Sequence, residues 1–178
     1  MDFIEKLNNI YETHSNIEIY LDMDGTLVEL LFDKNESYTK KGVYLNKKPI
    51  TPVINKIEEI KNRFPLIKFK ILSCSKSNQM RNEKNEWLDM YMPYINLEDR
   101  FILSEEAGDY VRENRNLVKA EYLDKNAIED KIIFLIDDDI EVLKGVQKLP
   151  KENIIPVHVT SILIWEKSGS LWILKFYN

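Results

Sequence analysis

Short, largely apolar segments separated by helix-like stretches are the feature of this sequence that most restricts its fold. The clearest is Ile132–Ile136, five apolar residues followed directly by three aspartates, and a similar segment, Ile17–Leu21, ends at Asp22. Three further segments of this kind are Phe69–Leu72, Phe101–Leu103 and Ile154–Val157. Strands buried on both faces are typical of parallel sheets that helices cover on both sides. The sequence therefore predicts an α/β fold with a Rossmann-like parallel sheet flanked by helices.

The segments between these strands have apolar residues at helical spacing. We predict helices over residues 2–13, 52–64 (with Thr51 as N-cap), 76–91, 119–123 and 142–149. Residues 28–50 interrupt the alternation, and we interpret them as a small cap insertion after strand one. Residues 161–176 have apolar runs on either side of a Gly-containing turn, which predicts a C-terminal β-hairpin. The whole chain, 1–178, is predicted to be a single domain.

Charge and cysteine content exclude several functions. The net charge of −5 disfavours non-specific binding to nucleic acid, because an acidic chain repels phosphate backbones. The single cysteine, Cys74, excludes an internal disulfide and zinc sites of the Cys-x-x-Cys type, and we expect it to be buried and inert. Since we find no signal peptide and no long apolar segment, we expect a cytoplasmic protein with no membrane partner.

Carboxylates follow several of the predicted strands. Asp22 and Asp24 come after the first strand, and Asp137, Asp138 and Asp139 come after the fourth. The carboxyl ends of parallel strands share one edge of a sheet, where ligands bind. Clustered carboxylates without histidine favour Mg²⁺, which prefers carboxylate, water and phosphate oxygens. The sequence therefore predicts a magnesium site at this edge.

Asp22 and Asp24 have the spacing that phosphoryl transfer requires. Residues two apart on an extended backbone point the same way, so both carboxylates can face one substrate. A carboxylate can accept a phosphoryl group as a nucleophile. The second can act as general acid for the leaving oxygen and then as general base for water. Gly25 permits a tight turn beside them.

Four motifs in order resemble those of the haloacid dehalogenase superfamily. They are Asp22–Thr26, Ile71–Ser73, Lys119 with the residues after it, and Leu135–Asp138. The compact insertion, Pro52 opening the next helix, Glu86–Leu88 and the Ile-Asp-Asp fourth motif are similar to the small 5'-nucleotidase branch of that superfamily. The resemblance implies a magnesium-dependent phosphatase with a haloacid dehalogenase-like fold.

The resemblance also implies roles for single residues. Asp22 would be the nucleophile, Asp24 the acid/base, and Ser73 and Lys119 would bind the transferring phosphoryl group, and we also place Thr26 among the substrate contacts. The metal would be bound by Asp22, the backbone carbonyl of Asp24 and the acidic pair Asp137 and Asp138.

Several alternatives for these roles stay open. Ser75 could replace Ser73, and Arg112, Arg115 or Lys125 could replace Lys119. Any of the three consecutive aspartates could face the metal, and one of them could instead cap the next helix.

The insertion suggests the class of substrate. Residues 28–50 contain five lysines and three aromatic residues, namely Lys34, Lys40, Lys41, Lys47, Lys48, Phe32, Tyr38 and Tyr44. Such a patch could hold a phosphate and stack a base, so we predict a small phosphate ester, with a nucleoside monophosphate as the first candidate. A polynucleotide-end phosphatase is the alternative within the enzyme class. A non-catalytic binding protein that uses the apolar tail as a partner surface is the alternative outside it.

Overall fold

A five-stranded, all-parallel sheet organises the protein. The computed structural model describes residues 3–30 and 40–164. The strands are β1 (Ile17–Leu21), β2 (Lys68–Ser75), β3 (Arg100–Ser104), β4 (Ile132–Asp137) and β5 (Ile154–His158), in the order β3-β2-β1-β4-β5. β1 is central, with Leu21 opposite Ile71 of β2 on one side and Ile136 of β4 on the other. The predicted Rossmann-like α/β fold is confirmed.

Helices cover both faces of the sheet. They are α1 (Phe3–Thr13), α2 (Thr51–Arg63), α3 (Asn78–Tyr91), α4 (Arg115–Asn126), α5 (Ile140–Gln147) and α6 (Val159–Leu163). One core contains residues of α1, α2, α3 and α6, and the other contains residues of α4 and α5. None of the helices in the described ranges is long and apolar enough to cross a membrane.

β1 is buried on both sides, which explains its composition. Ile19 and Leu21 pack into the first core, whereas Tyr20 packs into the second. Glu18 is also buried, and it is neutralised by ion pairs with Lys70 and Lys131, both at 2.9 Å. A charged residue therefore occurs in a fully buried strand because Lys70 of β2 and Lys131, directly before β4, supply its counter-charges.

The five predicted strands and the five predicted helices all occur, although several boundaries differ. β2 continues through Ser75, so the first serine after its apolar run, Ser73, still lies within the strand. The prediction that Thr51 is the N-cap of α2 is wrong. The N-cap is Ile50, whose backbone is fixed by a hydrogen bond from its amide to Leu27, and no side chain caps this helix. The alternative that one aspartate of the triplet caps the next helix is borne out, because Asp139 accepts a hydrogen bond from the Glu141 amide.

Two predicted segments fall partly outside the described residues. Of the predicted hairpin over residues 161–176, the first residues belong to α6 and are helical, not extended, and residues 165–178 lie outside the described part. The insertion is described at residues 28–30 and 40–50, where Val28 pairs with Pro49 in an isolated bridge. The single-domain boundary and the extent of the cap stay predictions.

Candidate active site

The strand order brings the predicted aspartates together. The carboxyl ends of the three central strands meet at one edge, and the switch in connection direction about β1 opens a crevice there. The Asp22 amide continues the sheet by donating to the Ile136 carbonyl at 3.0 Å. Oxygens of Asp22, Asp137 and Asp138 lie within 4.8 Å of one another. Residues distant in the chain thus form one acidic group.

This acidic group is suited to a divalent cation. Burial, together with the charge of Asp22, raises the pKa of Asp137 to about 6, although Lys119 opposes the shift. Burial and Asp22 also raise the pKa of Asp138. Such crowding is relieved when a cation binds, and carboxylate oxygens without histidine match the preference of Mg²⁺. The donor set therefore fits the magnesium site that the sequence predicts.

Gly25 allows Asp138 to enter this group. Gly25 has a φ of +79°, in the left-handed region that glycine adopts without strain. A Cβ atom at this position would lie only 2.1 Å from Asp138 Oδ2. The side chain of the predicted substrate contact Thr26 is fully buried, and its hydroxyl donates to Asp138 Oδ1 at 3.4 Å. Thr26 therefore contacts Asp138, and it is not among the residues that line the cavity beside Asp22.

Lys119 is placed between two of the carboxylates. Its Nζ lies 2.6 Å from Asp22 Oδ1 and 2.6 Å from Asp137 Oδ2. Burial alone would lower the pKa of Lys119, but these two carboxylates raise it well above its usual range, so the amine stays charged. The sequence left four cations open for this role. Lys119 is the one in contact with the predicted nucleophile, whereas Arg115 lines the wall of the cavity that contains Asp22.

Asp24 is held by two lysines, of which sequence reasoning named Lys47 only as part of the insertion patch and did not name Lys84. Lys84 Nζ lies 2.6 Å from Asp24 Oδ2, and Lys47 Nζ lies 2.9 Å from Asp24 Oδ1. Burial alone would raise the pKa of Asp24, but the two lysines hold it far below its usual range. The Asp24 carboxylate is therefore ionised in the absence of a ligand. Its charge is balanced by Lys47 and Lys84, whereas Asp22 is grouped with Asp137 and Asp138.

Lys84 also connects the first and second motifs. Its side chain is fully buried, and besides Asp24 it donates to Ser73 Oγ at 2.9 Å and to the Cys74 carbonyl at 2.8 Å. The two candidate serines differ in position, since the Ser75 hydroxyl donates to the Leu103 carbonyl of β3. Ser73 is the serine that lines the cavity with Asp22 and Asp24.

One face of α3 fixes the insertion onto the site. Glu83 accepts hydrogen bonds from the amides of Gly42 (2.8 Å) and Tyr44 (3.0 Å). The Trp87 indole donates to the Lys47 carbonyl at 3.0 Å, which places the Lys47 side chain beside Asp24. A sequence signal for this existed. Glu83 and Lys84 share a helical face with apolar Trp87 and Leu88, so they are charged residues at buried positions, which require partners.

The insertion differs from the predicted basic and aromatic patch. Tyr44 is buried under the ammonium groups of Lys47 and Lys84, at 4.7 and 5.1 Å from its ring centre, so its ring is not available to stack a base. Lys40, Lys41 and Lys48 are exposed. Phe32, Lys34 and Tyr38 lie outside the described residues.

A cavity of about 130 Å³ contains the predicted chemistry. Its walls include Asp22, Asp24, Ser73 and Lys119, together with Asp137 at the end of β4 and Asp138 directly after it. Cys74 is half-buried beside them, and burial raises the pKa of its thiol, which agrees with the prediction that it is inert. The residues present can accept a phosphoryl group, bind its oxygens with cations, and move a proton, all within one small space.

Comparison with known proteins places the fold but no family. No protein-family model matches the chain, and no curated protein matches it. A structure of the Pnkp1/Rnl/Hen1 RNA repair complex is similar, with 22% identity, a TM-score of 0.53, and coverage of 80% of this chain and 42% of the other. This chain thus spans less than half the length of that one. The HAD domain of the effector protein Lem4 from Legionella pneumophila gives 15% identity, a TM-score of 0.48, and coverage of 82% and 86%. At such identities the likeness to the first structure concerns the fold alone.

Proposed function

We propose that this protein is a magnesium-dependent phosphomonoester hydrolase that acts through an aspartyl-phosphate on Asp22. The observation that carries the proposal is the position of the Asp22 carboxylate. It lies at the carboxyl end of the central strand, 2.6 Å from Lys119 and grouped with Asp137 and Asp138. A carboxylate with a permanent cation on one side and a cation-binding group on the other can approach a phosphate dianion.

The acidic group would hold the metal. Asp22 would be a ligand together with Asp137 or Asp138, and the resemblance adds the backbone carbonyl of Asp24. When bound, Mg²⁺ would neutralise the carboxylates and the charge on the phosphoryl oxygens. Asp139 is the least suited of the aspartate triplet, because its side chain caps α5.

The reaction needs two displacements at phosphorus. An Asp22 oxygen forms a bond to phosphorus while the bond from phosphorus to the leaving oxygen breaks, and Asp24 donates a proton to that oxygen. Lys119 and Ser73 bind the phosphoryl oxygens during the transfer. Water then attacks phosphorus and gives a proton to Asp24, the bond to Asp22 breaks, and inorganic phosphate leaves.

The two lysines that contact Asp24 make the protonation of Asp24 depend on whether a substrate is bound. Without a ligand, Lys84 and Lys47 keep Asp24 ionised, which suits a base and not an acid. A phosphate beside Ser73 lies next to Lys84, because Lys84 Nζ is 2.9 Å from Ser73 Oγ. The phosphate attracts this ammonium and places a negative charge near Asp24, and both effects raise the pKa of Asp24. On this proposal, substrate binding favours the protonated form that Asp24 needs to act as an acid.

For the substrate, we propose a small phosphate ester, with a nucleoside monophosphate first. The resemblance to the 5'-nucleotidase branch supports this choice, and the small size of the cavity supports a small phosphorylated group at Asp22. A polynucleotide-end phosphatase is the second candidate, and the fold likeness to a structure from an RNA repair complex favours it. Retention of both Asp22 and Asp24 opposes a purely non-catalytic role.

The test is phosphate release from nucleotides and sugar phosphates, with Mg²⁺ or EDTA. Asp22→Asn keeps the size of the side chain but removes the nucleophilic charge, and Asp130→Asn, at an exposed turn, is the matched control. We expect magnesium-dependent release that is lost in Asp22→Asn and kept in Asp130→Asn. Release that persists in a folded Asp22→Asn protein would show that Asp22 is not the nucleophile. No release by wild type from any substrate would overturn the proposal.

A further inference from the structure

A second cavity adjoins the one that contains Asp22. It has a volume of about 220 Å³ and shares four wall residues with the first, namely Asp24, Leu30, Cys74 and Arg115. Asp24, the proposed proton donor to the leaving oxygen, is thus on the boundary between the two. A group attached to the phosphoryl oxygen that Asp24 protonates would extend into this second cavity.

The second cavity is basic, in contrast to the chain as a whole. Its walls contain Lys47, Lys76, Arg112 and Arg115, which come from three separate parts of the sequence. The acidic residues in the same walls are Asp24 and Glu105, and Asp24 is paired with Lys84 and with Lys47 of this same wall. In a chain with a net charge of −5, these walls therefore hold four cations against two carboxylates. Local positive charge beside a phosphate site favours a second anionic group on the same ligand.

One aromatic residue in this wall has a fixed position. The Tyr110 hydroxyl donates to the Ser75 carbonyl at 3.0 Å, and the half-buried ring lines the cavity. A ring held in this way can contact a planar or apolar part of a ligand between two phosphates. Tyr110 therefore supplies the aromatic surface that the insertion residue Tyr44, which is buried, does not.

From these contacts we infer that the second cavity is a leaving-group subsite for substrates that carry a second phosphate. The inference rests on the proposed function, because it locates the leaving group relative to Asp22 and Asp24. The shared chemistry is a phosphomonoester at Asp22 and a phosphate or phosphodiester beside Arg112 and Arg115. A nucleoside bisphosphate and the phosphorylated end of an oligonucleotide both supply it.

The first experiment compares three substrates that differ in the second phosphate. They are adenosine 3'-monophosphate, adenosine 3',5'-bisphosphate and a short oligonucleotide with a 3'-phosphate. We expect kcat/KM to be at least about tenfold higher for the two substrates with a second phosphate, with the advantage falling as salt rises. The better of these two identifies the source of the second phosphate. Equal kcat/KM for all three would overturn the inference while leaving the proposed function intact.

The second experiment compares removal of a positive charge inside the subsite with removal of one outside it. Arg112→Gln removes one cation from the cavity wall, and Lys125→Gln removes one from an exposed position on α4, away from that wall. We expect Arg112→Gln to raise KM for the bisphosphate about tenfold and to reduce the preference over the monophosphate, whereas Lys125→Gln changes neither. An Arg112→Gln protein that is indistinguishable from Lys125→Gln would overturn the subsite.

A binding measurement separates the subsite from the chemistry. If no substrate is turned over, the proposed function fails, and calorimetric titration of wild type with adenosine 3',5'-bisphosphate and adenosine 3'-monophosphate in Mg²⁺ tests the subsite alone. Tighter binding of the bisphosphate that is reduced in Arg112→Gln supports it. Equal binding of the two nucleotides, or binding that Arg112→Gln does not change, overturns it.

Discussion

Substitution of Gly25 by alanine separates the backbone role of this glycine from its role beside Asp138. Gly25 and Gly108 both have a φ of +79°, so alanine at either position costs about 1–2 kcal/mol for the left-handed conformation. The difference lies in the surroundings. A Cβ at Gly108 meets nothing within 4 Å, whereas a Cβ at Gly25 lies 2.1, 2.5 and 2.7 Å from the three terminal atoms of Asp138. Gly108→Ala is therefore the matched control for Gly25→Ala.

The additional cost at Gly25 follows from how Asp138 can respond. The whole carboxylate must move, because all three of its atoms lie within 3.0 Å of the new methyl group. The side chain is short and half-buried, so it can rotate, which costs about 1 kcal/mol in a strained rotamer. Rotation removes the contact with Thr26 and takes an oxygen away from the acidic group. The larger effect is therefore expected on metal binding, with Mg²⁺ affinity falling about tenfold or more.

Two measurements test this reasoning. Urea denaturation is expected to show a loss of about 1–2 kcal/mol for Gly108→Ala and about 1 kcal/mol more for Gly25→Ala. Calorimetric titration with Mg²⁺ is expected to show weakened binding for Gly25→Ala alone. If the two variants lose the same stability and bind Mg²⁺ equally well, the contact between Gly25 and Asp138 does not organise the acidic group, and the reasoning is refuted.

Two further predictions concern buried charges. Lys84→Met keeps the volume of a fully buried side chain but leaves Asp24 with only Lys47, so urea denaturation should show a loss of about 2 kcal/mol; unchanged stability would contradict the assigned contacts. Burial alone would raise the pKa of Glu18, but its hydrogen bonds and ion pairs with two lysines lower it. A lowered pKa adds stability above the unfolded-state pKa, and this stability is lost as pH falls through the folded-state pKa. Glu18→Gln should therefore be less stable than wild type by about 1–2 kcal/mol at pH 7, and the difference should shrink below about pH 4.5. A difference that does not depend on pH would contradict this assignment.

The sequence by itself determined the parallel sheet and the strand ends at which the acidic residues lie. Apolar segments such as Ile132–Ile136 can be buried on both faces only in a covered parallel sheet, so their number and spacing predicted the fold. The same logic placed Asp22 and the aspartate triplet at one edge, because a polar residue after a buried strand must emerge at the end of that strand. Local rules also offered a helix cap as one alternative for the triplet, and Asp139 has that role.

Only the tertiary structure decided which charges meet. Lys84 lies on α3 and Lys47 in the insertion, so neither is near Asp24 in sequence, and their contacts depend on how Glu83 and Trp87 fix the insertion. Periodicity can show that a charged residue occupies a buried helical face. It cannot show which partner it has, because the partner is set by packing between elements that are far apart in the chain.

The assignments within the triplet and in the cavities have the same physical origin. Asp138 fits into the open space beside Gly25, whereas the side chain of Asp139 caps α5. Three consecutive identical residues in a sequence do not reveal such differences. The basic cavity likewise combines side chains from three separate segments within an acidic chain. Composition averages such charges over the whole molecule, whereas the fold concentrates them at one position, and it is this local concentration that a substrate meets.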